Sequence, residues 1–171
     1  MKANALSKKG VYLKAYLYTQ AENGSSIAYN STFSSPPYFP HGMKSIFISG
    51  GAKIGDNAVI FQQVTIGSNT LIDSDGIGAP TIGDNCYIGA GAKIIGNVQI
   101  GNNVRVGANA VVFKDIPDNC VVVGSSRIIA REMVNNKYYS YHNANGWVYF
   151  HHGKFVKEEN LEALKVLNNF N

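Results

Sequence analysis

Aliphatic residues return every sixth position through the middle of this chain. From Ile48 the sequence divides into ISGGAK, IGDNAV, IFQQVT and IGSNTL, and later into IGDNCY, IGAGAK, IIGNVQ, IGNNVR, VGANAV and VFKDIP. The first position reads Ile48, Ile54, Ile60, Ile66, Ile72, Ile82, Ile88, Ile94, Ile100, Val106 and Val112. The fifth position is small or apolar: Ala52, Ala58, Val64, Cys86, Ala92, Val98, Val104, Ala110 and Ile116. Gly recurs at the second position, as in Gly55, Gly83, Gly89 and Gly101. A strict six fits neither the 3.6 of a helix nor the 2.0 of a plain strand. It predicts short strands that turn a corner every six residues, the first residue facing inward and Gly or Asn supplying the turns. Three sides close a coil of about 18 residues, and stacked coils bury one aliphatic column.

The phase extends back through Ile27, Phe33 and Phe39, so the repeat begins near Ser26. The wider interval from Phe39 to Ile48 places a bulged loop at Pro40–Phe47. The interval from Ile72 to Ile82 places a second loop, about four extra residues leaving the prism. About five coils are expected between Ser26 and Gly124, ending in the Pro-containing strand Lys114–Val123. Three regions result: an N-terminal flank 1–25, a β-helix 26–130 and a C-terminal extension 131–171. The first flank holds a short helix around Ala5–Thr19, broken at Gly10. The extension holds a hairpin over Trp147–Val156, turning at His152-Gly153, and a helix over Glu158–Phe170. These flanks serve as a cap on the prism or a subunit contact, because an open coil end exposes an unpaired strand edge.

Composition narrows the class. Only 15% of the 171 residues are charged, against 45% hydrophobic. Ordinary globular chains carry about a quarter charged residues. Few charges with normal hydrophobicity exclude a disordered chain and argue against a helical bundle. The formal charge of +4 suits an anionic small ligand and is too small and dispersed for nucleic acid. Cys86 and Cys120 form neither a disulfide framework nor a metal spacing, and read as reduced thiols of a cytoplasmic protein. No run reaches the length of a signal peptide core or a membrane span. Asn30-Ser31-Thr32 matches a glycosylation acceptor that a cytoplasmic chain would not use.

The segments Pro40–Gly42, Ile60–Gly67, Ile88–Asn97 and Val122–Ile129 together resemble the hexapeptide-repeat acyltransferases, a superfamily of left-handed parallel β-helices. The likeness is to the serine acetyltransferase branch and, within it, to its shorter relatives that acetylate capsular or exopolysaccharide sugars. Handedness comes from this resemblance, since parallel crossovers in general favour the right hand. The resemblance also implies homotrimers with active sites between subunits, and acetyl-CoA as acyl donor. No metal is expected, because His41 is the only histidine available in the repeat region.

An acceptor hydroxyl needs a neutral imidazole to take its proton before it attacks a thioester. His41 is the one histidine of the repeat region; it lies on the bulged loop, where the family keeps its general base. His142, His151 and His152 in the tail read as surface residues, and the His151-His152 pair lacks a metal-ligand pattern. Ala90 and Ala108, 18 residues apart, stack on one corner, where the family's pantetheine track runs; Gly67 precedes them. Arg105, Lys114, Arg127 and Arg131 are candidates for the coenzyme phosphates, and Gln62 for the acceptor or the thioester carbonyl. Gly89-Ala90-Gly91 lacks the third glycine of a dinucleotide fingerprint, and Cys86 falls at a buried fifth position.

Four departures bear on the acceptor. Serine acetyltransferases carry acidic residues where Ser26 and Pro40 stand here and a second histidine near Ala79, and they have a long helical N-terminal domain. The expected function is therefore acetyl-CoA-dependent O-acetylation of a sugar or glycan hydroxyl. Serine O-acetylation for cysteine biosynthesis is the alternative, and a non-catalytic β-helix scaffold a further one.

Overall fold

The computed structural model describes residues 2–169. Successive short strands visit three parallel sheets in rotation, which makes a three-sided β-helix. One face stacks Ser26–Ile27, Phe47–Ile48, Thr65–Gly67, Lys93–Ile95 and Val111–Val112. The second stacks Thr32–Phe33, Lys53–Ile54, Thr81–Ile82 and Gln99–Ile100. The third stacks Val59–Ile60, Tyr87–Ile88, Arg105–Val106 and Cys120–Val123, with Arg127–Ala130 added antiparallel at its end. This architecture is consistent with the left-handed helix that the resemblance implies.

The inward positions behave as the hexad requires. Ile48, Ile60, Ile66, Ile88, Ile94, Val106 and Val112 are fully buried, and so are the fifth-position residues Ala52, Val64, Cys86, Ala92, Val104 and Ala110. Cys86 packs in this column with its thiol donating to the Gly101 carbonyl at 3.2 Å, and burial pushes its pKa up to about 12. A thiol so placed is no nucleophile. At the corner after the second face stands a ladder of Asn57, Asn85, Asn103 and Asn119, all at φ between 55° and 57°. Their carboxamides bond in pairs, Asn57 to Asn85 at 2.9 Å and Asn103 to Asn119 at 3.2 Å.

Ile72 departs from the expected pattern. Ile54 pairs with Ile82 and Ile66 with Ile94, intervals of 28 residues in place of 18. The excursion is thus ten residues long, not four; Ile72 lies within it and is 94% exposed. An antiparallel bridge between Asn69 and Gly78 closes its neck.

The flanks also differ from expectation. The N-terminal helix runs unbroken over Lys2–Asn23, straight through Gly10. An interior glycine costs about 1 kcal/mol, which the contacts at the helix's far end offset. Gln20 accepts from the Ile27 amide and the Tyr16 hydroxyl donates to the Ile27 carbonyl. These two backbone groups point away from the neighbouring Phe47–Ile48 strand, so the helix satisfies the open edge of the first coil. Gly24, at φ +58°, ends the helix. In the extension the hairpin is present, with a third strand beside it: Tyr139–His142, Gly146–His151 and Lys154–Lys157 form an antiparallel sheet. This flank is mainly strand, not helix or irregular chain. A helix, Leu161–Asn168, follows, capped by Asn160 and tied to the sheet by Trp147 Nε1 donating to Asn168 at 3.0 Å. Phe170, expected on this helix, lies outside the described residues. Among the described residues no helix is long and apolar enough to cross a membrane.

Candidate active site

The bulged loop and the ten-residue excursion change the intervals between coils but not the stacking. The loop lengthens the first coil to 21 residues, the interval that separates Ile27 from Ile48 and Tyr38 from Val59. His41 and Gln62 are separated by the same interval. The Gln62 carbonyl accepts from Gly91 at 3.0 Å, and the Ala90 carbonyl accepts from Asn109 at 2.8 Å. His41, Gln62, Ala90 and Ala108 therefore stand one above another on the corner after the third face. Strand spacing sets them about 4.8 Å apart.

His41 is exposed at the bottom of this column. Its Nδ1 lies 2.7 Å from Oε1 of Gln62, and its ring meets Phe61 edge-on at 5.4 Å between centroids. Phe61 is buried against Tyr87 and Tyr138, with centroids 5.0 and 5.8 Å away. Tyr38 continues the aromatic wall, stacked on Phe150 at 4.6 Å. Tyr138 and Phe150 belong to the C-terminal extension, so that extension builds one side of the His41 corner. This contribution was not legible in the repeat. The partnership of His41 with Gln62 was missed as well, although the shared interval of 21 residues was its signal.

The other expected site residues separate. Arg127 pairs with Val123 across the last two strands of the third face, at the upper end of the His41 column. Gly67 does not join that column: it pairs with Ile95, on the next corner round the prism. Lys114 lines a cleft with Asn69, Asp75, Gly76, Ile95 and Phe113, beside the excursion on that same next corner. Arg105 is committed elsewhere. Its Nε donates to Asn136 at 3.1 Å, a second guanidinium N–H donates to the Asn135 carbonyl, and the group lies over the Tyr87 ring at 5.8 Å. Arg131 shares a cleft with Arg105, and its backbone amide donates to Asn119 on the asparagine corner. Of the four residues expected at the coenzyme phosphates, only Arg127 stands at the column that holds His41.

The tail histidines are not all free surface groups. His152 Nδ1 lies 2.5 Å from Asp56, and its amide donates to Asn57 at 3.0 Å, which clasps the hairpin turn onto the prism. The Asp56 carboxyl sits below the usual range, held down first by a Ser35 hydrogen bond, with burial opposing and His152 adding to the effect. A cleft of about 460 Å³ lies between the asparagine ladder and the C-terminal sheet, away from His41. Among the described residues no three His, Cys, Asp or Glu side chains gather as a metal site.

A family model described as bacterial transferase hexapeptide (six repeats) matches residues 79–114. These residues carry the upper coils, including Ala90 and Ala108. This chain belongs to the hexapeptide-repeat superfamily. Solved structures of serine acetyltransferases superpose on it. That of Neisseria gonorrhoeae is 30% identical, with a TM-score of 0.61 over 76% of this chain and 50% of its own. That of Brucella abortus strain S19 is 31% identical, with a TM-score of 0.61 over 74% of this chain and 51% of its own. The soybean enzyme complexed with serine is 35% identical, with a TM-score of 0.54 over 60% and 42%. This chain therefore spans about half the length of those proteins. No curated protein matches it.

Proposed function

We propose that this chain is an acetyl-CoA-dependent O-acetyltransferase in which His41 is the general base. The observation that carries the reading is the single corner column. It puts an imidazole below two alanines, with Arg127 at the far end. A pantetheine arm can lie along the small side chains there, its amides against the prism backbone, with the coenzyme phosphates toward Arg127. The acceptor hydroxyl gives its proton to His41 while its oxygen attacks the thioester carbonyl carbon. The carbon–sulfur bond then breaks, and the imidazolium returns the proton to the departing thiolate. Transfer is direct, within a ternary complex, and needs no protein nucleophile.

L-Serine is the acceptor that the similar structures favour over the glycan hydroxyl expected from the sequence. A sugar hydroxyl remains as a second reading because of the half-buried rings of Tyr38 and Tyr138, which pack together beside Phe61. A pyranose presents a flat C–H face that packs well on such rings. His41 and Ala108, the lowest and highest of the four stacked residues, are exposed, which supports a neighbouring subunit of a homotrimer as the column's other wall. A cytoplasmic location belongs to the same proposal.

Thiol release from acetyl-CoA, with L-serine and a panel of monosaccharides, tests the reading by mass spectrometry of the products. O-Acetylserine formed at saturable rates is the expected result. Acetylated sugar without acetylserine would transfer the assignment to the second reading. No turnover, together with no melting shift at millimolar coenzyme A, would leave only a scaffold. His41→Ala lowers kcat by about 10²–10⁴-fold if the base is correctly assigned.

A further inference from the structure

We infer that Gln62 is a positioning residue that holds His41 in its Nδ1–H tautomer and leaves Nε2 as the basic nitrogen, an inference that rests on His41 being the base. The 2.7 Å contact joins Nδ1 to the carboxamide oxygen of Gln62. A carboxamide oxygen accepts and cannot donate, so the proton between them belongs to Nδ1. In a neutral imidazole the second nitrogen then carries the lone pair. Were the amide turned round, its NH2 would occupy the Nδ1 lone pair and Nε2 would hold the proton, unable to accept one.

The place of Gln62 is built into the coil. Its carbonyl is fixed by Gly91, the next residue's amide donates to Lys44 at 2.9 Å, and that residue turns the corner at φ +61°. Phe61, immediately before it, holds the other side of the imidazole edge-on. Two successive residues of one strand end therefore set the ring's hydrogen bond and its tilt. Ser26 and Pro40 stand where the resemblance leads one to expect acidic residues, so the orienting group here is neutral. A neutral acceptor selects the tautomer without adding a negative charge that would favour the imidazolium.

The test uses the full chain labelled with ¹⁵N-histidine. At about pH 8, above the ordinary histidine pKa of about 6.5, two-bond proton–nitrogen correlation should give His41 a pyrrole-type Nδ1 and a pyridine-type Nε2. Gln62→Met keeps the length of the side chain and removes the acceptor. It should turn that pattern into a tautomer mixture and lower kcat/KM by about 10–100-fold, with the KM for acetyl-CoA unchanged. Gln62→Glu should restore the single tautomer and move the acid limb of the kcat/KM profile to higher pH, because the carboxylate stabilises the imidazolium. A wild-type His41 with the proton on Nε2 overturns the inference. So does a Gln62→Met protein with unchanged tautomer, turnover and pH profile while His41→Ala is inactive. The expected tautomer pattern in a chain that transfers no acetyl group would sustain the positioning and overturn the proposed reaction.

Discussion

Single residues at the His41 corner separate into those that need empty space and those that need a partner. Ala108 is exposed. Ala108→Trp should leave the melting temperature unchanged and raise the KM for acetyl-CoA about tenfold or more, a loss of about 1.4 kcal/mol or more. Steady-state kinetics at varied donor concentration measures it. Gly89, one residue before Ala90, is different. A Cβ there would lie 2.7 Å from the Ala108 amide nitrogen and 2.9 Å from the Val106 carbonyl oxygen, both backbone atoms of the next coil. Gly89→Ala should destabilise the fold by about 1–3 kcal/mol, read from chemical denaturation. His41 was legible because it is the one imidazole in the repeat. The contact of Gln62 with His41 was not, because residue type alone does not say which polar group a corner turns toward which neighbour.

The elements show where pattern stops and tertiary context begins. Strands were legible from Ile and Val at sixfold spacing because burial on the inner side leaves those positions no alternative. Ile72 kept the spacing by chance. A period records recurrence, whereas leaving the prism is decided by the pairing of Asn69 with Gly78 and by the turn residues around Asp73 and Asp75. The C-terminal sheet had no periodic signal at all, since its strands are held by packing on Tyr38 and Phe61 and by one buried carboxylate. Glu158 is 4% exposed and accepts from Lys137 at 2.8 Å, Tyr139 at 2.9 Å and the Asn160 amide at 2.9 Å. Burial raises its pKa, but these hydrogen bonds outweigh that and bring it down to about 2 from an ordinary 4.5. Its stabilising contribution is therefore complete above about pH 4.5 and is lost as pH falls toward 2. Amide protection factors, corrected for the intrinsic pH dependence of exchange, should fall in the strands Tyr139–His142 and Lys154–Lys157 across that window. Glu158→Gln should weaken the sheet by about 1.5–3 kcal/mol at neutral pH and flatten its acid response.

At the scale of the molecule, the aliphatic column is a single continuous core shared by every coil, capped below by the N-terminal helix and above by the antiparallel strand Arg127–Ala130. Ile94 is fully buried between Ile66 and Val112 on one face. Ile94→Ala should cost about 2–5 kcal/mol. Coils depend on their neighbours for burial, so the loss should lower the unfolding midpoint of the whole prism, which circular dichroism during thermal unfolding would detect. The low charge of the chain follows from the same architecture: Asn and Gly turn its corners, and few positions require Lys or Glu.

The column also acts as a ruler. His41 and Arg127 stand at opposite ends of it, and their separation is set by the number of rungs stacked between them, each about 4.8 Å high. With His41 as the proposed base and Arg127 as the proposed phosphate anchor, the reach between them is quantised in whole turns of chain. Duplicating one 18-residue turn between Gly91 and Asn109 would lift the anchor by one rung and leave His41, Gln62 and Phe61 undisturbed. Adding a single residue in Met43–Ile60 would instead rotate the histidine off the line. On the proposed reading, the length of the donor that such a molecule can grip is written as a count of repeats.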